Sequence, residues 1–215
     1  MTHDHHDHDH DHGAVPHSPP RPDLDDTITY WRAMEIAVRE LLIEKGHITP
    51  EEVRVQVENM DQRTPEQGAR VVARAWTDPA FKHKLLIAGN DAVESLGIDR
   101  GMYKLVVVEN TPAVHNLVVC TLCSCYPRWL LGLPPDWYKS RNYRSRVVVE
   151  PRAVLKEFGT ELPNSVTLRT HDSNADMRYL VLPERPAGTE GWSEEQLAAI
   201  ITRDCMVGVA VPKAA

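Results

Sequence analysis

The sequence predicts an α+β protein, with a helical arm leading into a mixed globular region. Three observations carry this. Residues 25–96 repeat the grammar of capped amphipathic helices. After Gly97 and Gly101 the apolar period shortens, and β-branched runs replace the helical stripe. Residues 1–24 carry almost nothing that a core could use. The expected organisation is a disordered His/Asp/Pro-rich tail over 1–24, a helical arm over 25–100 and a globular domain over 101–215.

In the tail, seven of the eleven histidines lie between His3 and His17 and alternate with Asp4, Asp7, Asp9 and Asp11. Imidazole and carboxylate together would collect divalent cations weakly. Ordered structure is expected from Asp25 or Asp26, as an N-cap. Trp31, Met34, Val38, Leu41 and Leu42 then recur at helical spacing until Gly46. Thr49-Pro50-Glu51-Glu52 reads as a capping box with proline in the first turn, and Thr64-Pro65-Glu66-Gln67 repeats it. Asp78-Pro79 opens a further short helix toward Leu86. The apolar stripe of this region is narrow, so the arm is expected to wrap a partner.

Beyond Gly101, Lys104–Glu109 and Asn116–Cys120 read as strands, as do Arg146–Val149 and Met206–Val211. Val166–Thr170 and Tyr179–Leu182 read as a strand pair around the turn Asp172-Ser173-Asn174. Glu150-Pro151 opens a helix that Gly159 ends, and Ser193-Glu194-Glu195-Gln196 caps a last helix through Ile201.

Composition narrows the function. A chain that is 42% hydrophobic with net charge -7 has no basic surface for nucleic acid or for an anionic membrane. No apolar run approaches the roughly 18 residues of a transmembrane helix. No basic region followed by an apolar stretch opens the chain, so the expected location is the cytoplasm.

Four cysteines are present, and three of them, Cys120, Cys123 and Cys125, crowd into six residues. A disulfide framework would spread them out. Structural zinc would use two separated Cys-x-x-Cys pairs, with only the isolated Cys205 as a fourth ligand here. A redox pair of Cys120 and Cys123 would leave Cys125 without a role. Chelate geometry offers a third reading. A metal on the Cys125 thiolate closes a five-membered ring with that residue's own amide nitrogen. The Ser124 nitrogen closes another, and the Cys123 thiolate a six-membered one. This gives a planar S2N2 set with Cys120 as axial thiolate and the opposite position open. Deprotonated peptide nitrogens need a strong, geometry-demanding Lewis acid, so trivalent cobalt or iron fits and zinc does not.

The run Val119-Cys120-Thr121-Leu122-Cys123-Ser124-Cys125-Tyr126-Pro127 resembles the metal-binding motif of nitrile hydratase alpha subunits. The resemblance covers most of residues 28–212, including Ala75-Trp76-Thr77-Asp78-Pro79 and Leu182-Pro183-Glu184-Arg185-Pro186. Thr121 matches the cobalt type. The resemblance implies an α-β-β-α layered domain and nitrile hydration to amide. It implies metal ligation by Cys120, Cys123, Ser124 and Cys125, with cobalt(III) preferred over iron(III). It further implies a sulfinate at Cys123 and a sulfenate at Cys125, both candidate catalytic groups, with the Cys125 oxygen acting as nucleophile or base. A beta subunit supplying arginines to those oxygens, a metal-delivery protein and a small nitrile substrate are the implied partners. Four arginines of this chain, Arg128, Arg141, Arg144 and Arg146, also follow the motif. Departures point to a close relative. Arg128 stands where the cobalt type has tryptophan. Together with Asp172-Ser173-Asn174, Cys205 and the His-rich tail it resembles the gamma subunit of thiocyanate hydrolase, which converts thiocyanate to carbonyl sulfide and ammonia. A structural zinc module or a cobalt-handling protein is the non-enzymatic alternative.

Overall fold

The computed structural model describes residues 28–214. The histidine tail and the Asp25/Asp26 cap lie outside those residues. The first helix, α1 (Tyr30–Glu44), is capped by Thr29, whose side chain accepts from the Arg32 N–H. It ends at Lys45, and Gly46 turns the chain with φ +70°. The Thr49 capping box forms as expected and opens α2 (Pro50–Asp61). Neither helix buries a residue. Trp31 is 77% exposed, and Met34, Val38 and Leu41 are exposed beside it.

Packing changes at α3 (Glu66–Thr77). Its N-cap is Pro65, which makes no side-chain cap bond, so the second Thr-Pro-Glu-Gln run does not form the expected box. The helix is held by burial instead. Val71, Val72 and Ala73 are fully enclosed. Gly68 makes the close approach to the next layer possible, because a Cβ there would lie 2.5 Å from Leu131 Cδ2 and 2.7 Å from Met206 Sδ. Asp78 caps α4 (Pro79–Ile87) by accepting from the Phe81 N–H, and α5 (Gly89–Glu94) follows at once.

Four strands make two parallel pairs. β1 (Lys104–Glu109) pairs with β4 (Met177–Leu182), and β2 (Val114–Val119) pairs with β3 (Thr167–Asp172). The expected pairing across Asp172-Ser173-Asn174 is therefore corrected: β3 and β4 follow each other in sequence but belong to different sheets. Four short helices lie between β2 and β3: α6 (Arg128–Leu131), α7 (Asp136–Lys139), α8 (Arg141–Arg146) and α9 (Pro151–Glu157). The chain closes with α10 (Glu194–Ala199), on the expected Ser193 box, and α11 (Arg203–Val207). Two expected strands are overturned. Arg146–Val149 is the end of α8 and a turn, because the Arg146 carbonyl accepts from the Val149 and Glu150 N–H groups in a helical return. Met206–Val211 begins inside α11, and Gly208 ends that helix at φ +92°. Gly208 is required there twice over, since a Cβ would meet the Asn116 carbonyl at 2.0 Å.

Helices α4 and α5 pack on β1, α11 on β4 and β2, and α9 on β3, so the strands lie between helices. This is the expected α-β-β-α arrangement. Leu117, Leu130, Leu180 and Leu182 fill the interior. A polar network crosses it where β1 turns into β2. His115 Nε2 donates to the Gly208 carbonyl (2.7 Å), so Nδ1 is the acceptor for Asn110 Nδ2 (3.1 Å). Asn110 Oδ1 accepts from the Asn116 N–H, and Asn116 Oδ1 accepts from His171 Nε2. Among the described residues, no helix is long and apolar enough to cross a membrane.

Candidate metal centre

The end of β2 delivers the cysteine run. Val119 is the last ladder residue, opposite Asp172 of β3, and Cys120 follows it into an irregular loop over residues 120–127. Asp172 ties down the start of that loop. Its two carboxylate oxygens accept from the Thr121 N–H (2.9 Å) and the Thr121 hydroxyl (2.6 Å). Arg144 Nη1 donates to the Thr121 carbonyl (3.3 Å). With both faces of Thr121 occupied, the chain turns back on itself.

The turn brings three sulfurs together. Cys120 Sγ lies 3.5 Å from Cys123 Sγ, which lies 3.3 Å from Cys125 Sγ, and all three fall within 4.8 Å of one another. All are free thiols, so the redox-pair reading finds no disulfide. Among the described residues no histidine, aspartate or glutamate joins them. Cys205 is elsewhere, buried against the Thr202 hydroxyl at 3.2 Å. The four-cysteine zinc reading therefore lacks its fourth ligand. The sulfurs sit at different depths: Cys120 is buried, Cys125 half-buried and Cys123 exposed.

The N–H groups of Ser124 and Cys125 lie close enough to the Cys123 sulfur to favour its ionised form, so two peptide nitrogens lie near the thiols. Burial opposes ionisation of Cys123, but hydrogen bonds from Cys125, Cys120 and those two N–H groups outweigh it, and its pKa falls below the ordinary thiol value. Cys125 moves the other way, pushed up to about 12 by burial and by its hydrogen bonds with Cys123 and Cys120, with the Arg178 charge pulling against them. The pair thus holds its first negative charge on Cys123. Soft thiolates and adjacent amides are the donors a strongly Lewis-acidic transition metal takes, so the residues present fit such an ion.

Cys123, Ser124 and Cys125 open onto a cavity of about 660 Å³, whose wall also includes Arg63, Arg128 and Arg178. Of the arginines that follow the motif, Arg128 reaches this cavity and Arg144 holds the loop. Arg146 turns away to pair with Glu150 and Glu157. Arg63 and Arg178 are cavity residues that sequence reading missed. Arg178 was visible as a cation at an inward position of the apolar strand Met177-Arg178-Tyr179-Leu180. It stacks over the Tyr103 ring at 4.0 Å, and its Nε is buried with no partner, as is Trp129 Nε1 nearby.

A family model described as nitrile hydratase, alpha chain, matches residues 29–210. The cobalt-containing nitrile hydratase subunit alpha of Pseudonocardia thermophila is 51% identical over 182 residues, or 83% of this chain and 89% of its own. Thiocyanate hydrolase subunit gamma of Thiobacillus thioparus is 45% identical over 206 residues, or 90% of this chain and 84% of its own. Among solved structures, a recombinant thiocyanate hydrolase with partially modified cobalt centres superposes with a TM-score of 0.79 at 46% identity, covering 87% of this chain and 92% of that one. A variant Fe-type nitrile hydratase from Comamonas testosteroni Ni1 gives 0.80 at 45% identity, covering 87% and 93%.

Proposed function

Because the chain belongs to the nitrile hydratase alpha-chain family, a family of enzyme subunits, we propose that it is the metal-bearing subunit of a nitrile hydratase, converting nitriles to amides. The three sulfurs within 4.8 Å of one another carry this reading. Cys120, Cys123, Cys125 and the backbone nitrogens of Ser124 and Cys125 hold a low-spin cobalt(III) ion. Cobalt is preferred because relatives at about half identity are cobalt-containing; iron(III) is the alternative, since an Fe-type enzyme shares the fold. Bound there, the metal supplies Lewis acidity toward a nitrile nitrogen or a water molecule. Cys123 carries two oxygens as a sulfinate and Cys125 one as a sulfenate, whose oxygen is the nucleophile or the base that activates water. Arg178 neutralises charge beside Cys125. Asp172 and Arg144 keep the loop folded over its ligands.

A beta subunit covers the cavity and the exposed faces of α1 and α2, and a delivery protein loads the slowly exchanging metal in the cytoplasm. One observation favours a second reading. Arg63, Arg128 and Arg178 outnumber the carboxylate of Asp99 on the cavity wall, and that positive balance suits an anion, so thiocyanate hydrolysis is the alternative activity.

Co-producing the chain with its partner in cobalt medium tests both readings. The expected result is about one cobalt per chain and turnover of a small nitrile; preferential turnover of thiocyanate would select the second reading. Replacing Cys120, Cys123 or Cys125 with Ala should abolish metal retention. Cys205→Ala should keep the metal and cost packing on the order of 1 kcal/mol. Stoichiometric zinc with neither cobalt nor iron would overturn the assignment.

A further inference from the structure

The start of the cysteine loop is fixed by the strand ladder and by Asp172, but its far end has no ladder to hold it. Residues 122–125 are irregular and exposed or half-exposed. Two groups reach them from the interior: the buried Cys120 Sγ accepts from the Cys123 N–H at 3.3 Å, and Tyr138 Oη donates to the Cys125 carbonyl at 2.8 Å. The ring behind that hydroxyl is fully enclosed. It is wedged by Tyr126 (centroids 5.1 Å apart), Trp137 (5.9 Å) and Tyr143 (5.8 Å). A phenol on a wedged ring cannot follow a moving loop, so the loop takes its position from the phenol.

Tyr138 has one proton, and Cys125 receives it. The Ser173 hydroxyl lies close enough to the Tyr138 phenol to pull its pKa down against burial, as a donor would. Ser173 is 1% exposed. Its oxygen accepts from the Tyr179 N–H (3.3 Å), and its own N–H donates to the Val119 carbonyl at 2.7 Å. One buried residue therefore meets both ends of the loop: it bonds Val119 directly and lies beside the phenol that holds the Cys125 carbonyl.

We infer that Ser173 and Tyr138 form a clamp that sets the span of the loop from Val119 to Cys125, and that Tyr138 is thereby the positioning residue for the Cys125 sulfur. The inference rests on the metal-centre reading above. Cys125 has to offer both its amide nitrogen and its sulfur to one ion, which demands one backbone orientation at that residue. The carbonyl held by Tyr138 belongs to that same residue, so its direction constrains the nitrogen and the Cα–Cβ bond together. Partners one layer behind metal ligands commonly change metal affinity or activity 10- to 100-fold when removed.

The test uses the cobalt-loaded complex with its partner chain, as wild type, Tyr138→Phe, Ser173→Ala and Thr160→Val. Thr160 is the control: its buried hydroxyl also donates to a carbonyl, that of Val209 at 2.8 Å, away from the loop. Readouts are the thiolate-to-metal absorption band and the rate at which a chelator extracts cobalt under reducing conditions. Thr160→Val is expected to match wild type in both. Tyr138→Phe keeps the ring and should shift the band and speed extraction on the order of tenfold; Ser173→Ala should act in the same direction but less. If Tyr138→Phe does not assemble, Ser173→Ala carries the test. A wild-type band and extraction rate in the clamp variants, or an equal shift in Thr160→Val, would overturn the clamp. Absence of the band in wild type would overturn the metal reading itself, and the clamp with it.

Discussion

Helices α2 and α10 are written in the same grammar and behave differently. Each opens on a complete capping box, Thr49 with Glu52 and Ser193 with Gln196. Yet α2 buries nothing, while α10 drives Leu197 fully into the interior against α3. A cap satisfies orphan N–H groups and says where a helix starts. It says nothing of what the helix packs on. The region Tyr30–Asp61 is thus helical by local rule, and the body from α3 onward by burial.

The largest effect expected from this contrast comes from deleting apolar volume. Leu180→Ala in β4 should cost the purified chain about 2–5 kcal/mol, read from urea unfolding. Leu41→Ala on the exposed face of α1 should stay within about 0.5 kcal/mol. Equal losses would show that α1 packs as the body does. With the partner chain present, Leu41→Ala should weaken assembly instead.

Acid should separate the regions next. His115 is buried in the body, and burial holds its pKa below the ordinary 6.5, against the raising effect of its Gly208 bond. Burial, with the Arg169 charge, does the same at His171. The folded body then binds fewer protons than the unfolded chain, so the contribution is complete above about 6.5 and drains away as pH falls through the folded values. A charged His115 would also aim Nδ1–H at the Asn110 amide donor. The melting temperature should drop between pH 7 and pH 5, and His115→Gln should flatten that slope. An unchanged slope would break the argument.

The smallest effect is the sharpest comparison. Ser193→Ala should lower the main unfolding transition by about 1 kcal/mol. Thr49→Ala removes an equivalent box and should reduce helical circular dichroism while leaving the main transition in place. A shift of that transition by Thr49→Ala would mean the two regions unfold as one.

The same division explains what could be read from sequence. The caps of α2, α4 and α10 and the runs of β1 and β2 are local signals, and all were legible. The clustering of Cys120, Cys123 and Cys125 was legible for the same reason, since they lie within six residues. Asp172-Ser173-Asn174 was misread as a hairpin turn because turn chemistry is local, whereas the choice of β2 and β1 as parallel partners is made by packing over more than fifty residues. Val147-Val148-Val149 and Val207–Val211 have strand composition, but their backbones join no ladder, because the Arg146 and Asp204 carbonyls take up the following N–H groups in helical returns. Tyr138 and Asp172 bond the loop from 13 and 47 positions beyond Cys125, and no spacing announces them.

The unequal depth of the three sulfurs has a consequence in time. A small oxidant dissolved in water meets Cys123 first, and meets it in its more ionised, more reactive form. It reaches the half-buried Cys125 less readily, and Cys120 is buried. Oxygen should therefore be added in sequence, first and most at Cys123, then once at Cys125, and not at Cys120. A bulky maleimide offered to the metal-free chain should follow the same order, labelling Cys123 while Cys120 stays unlabelled until the fold is opened.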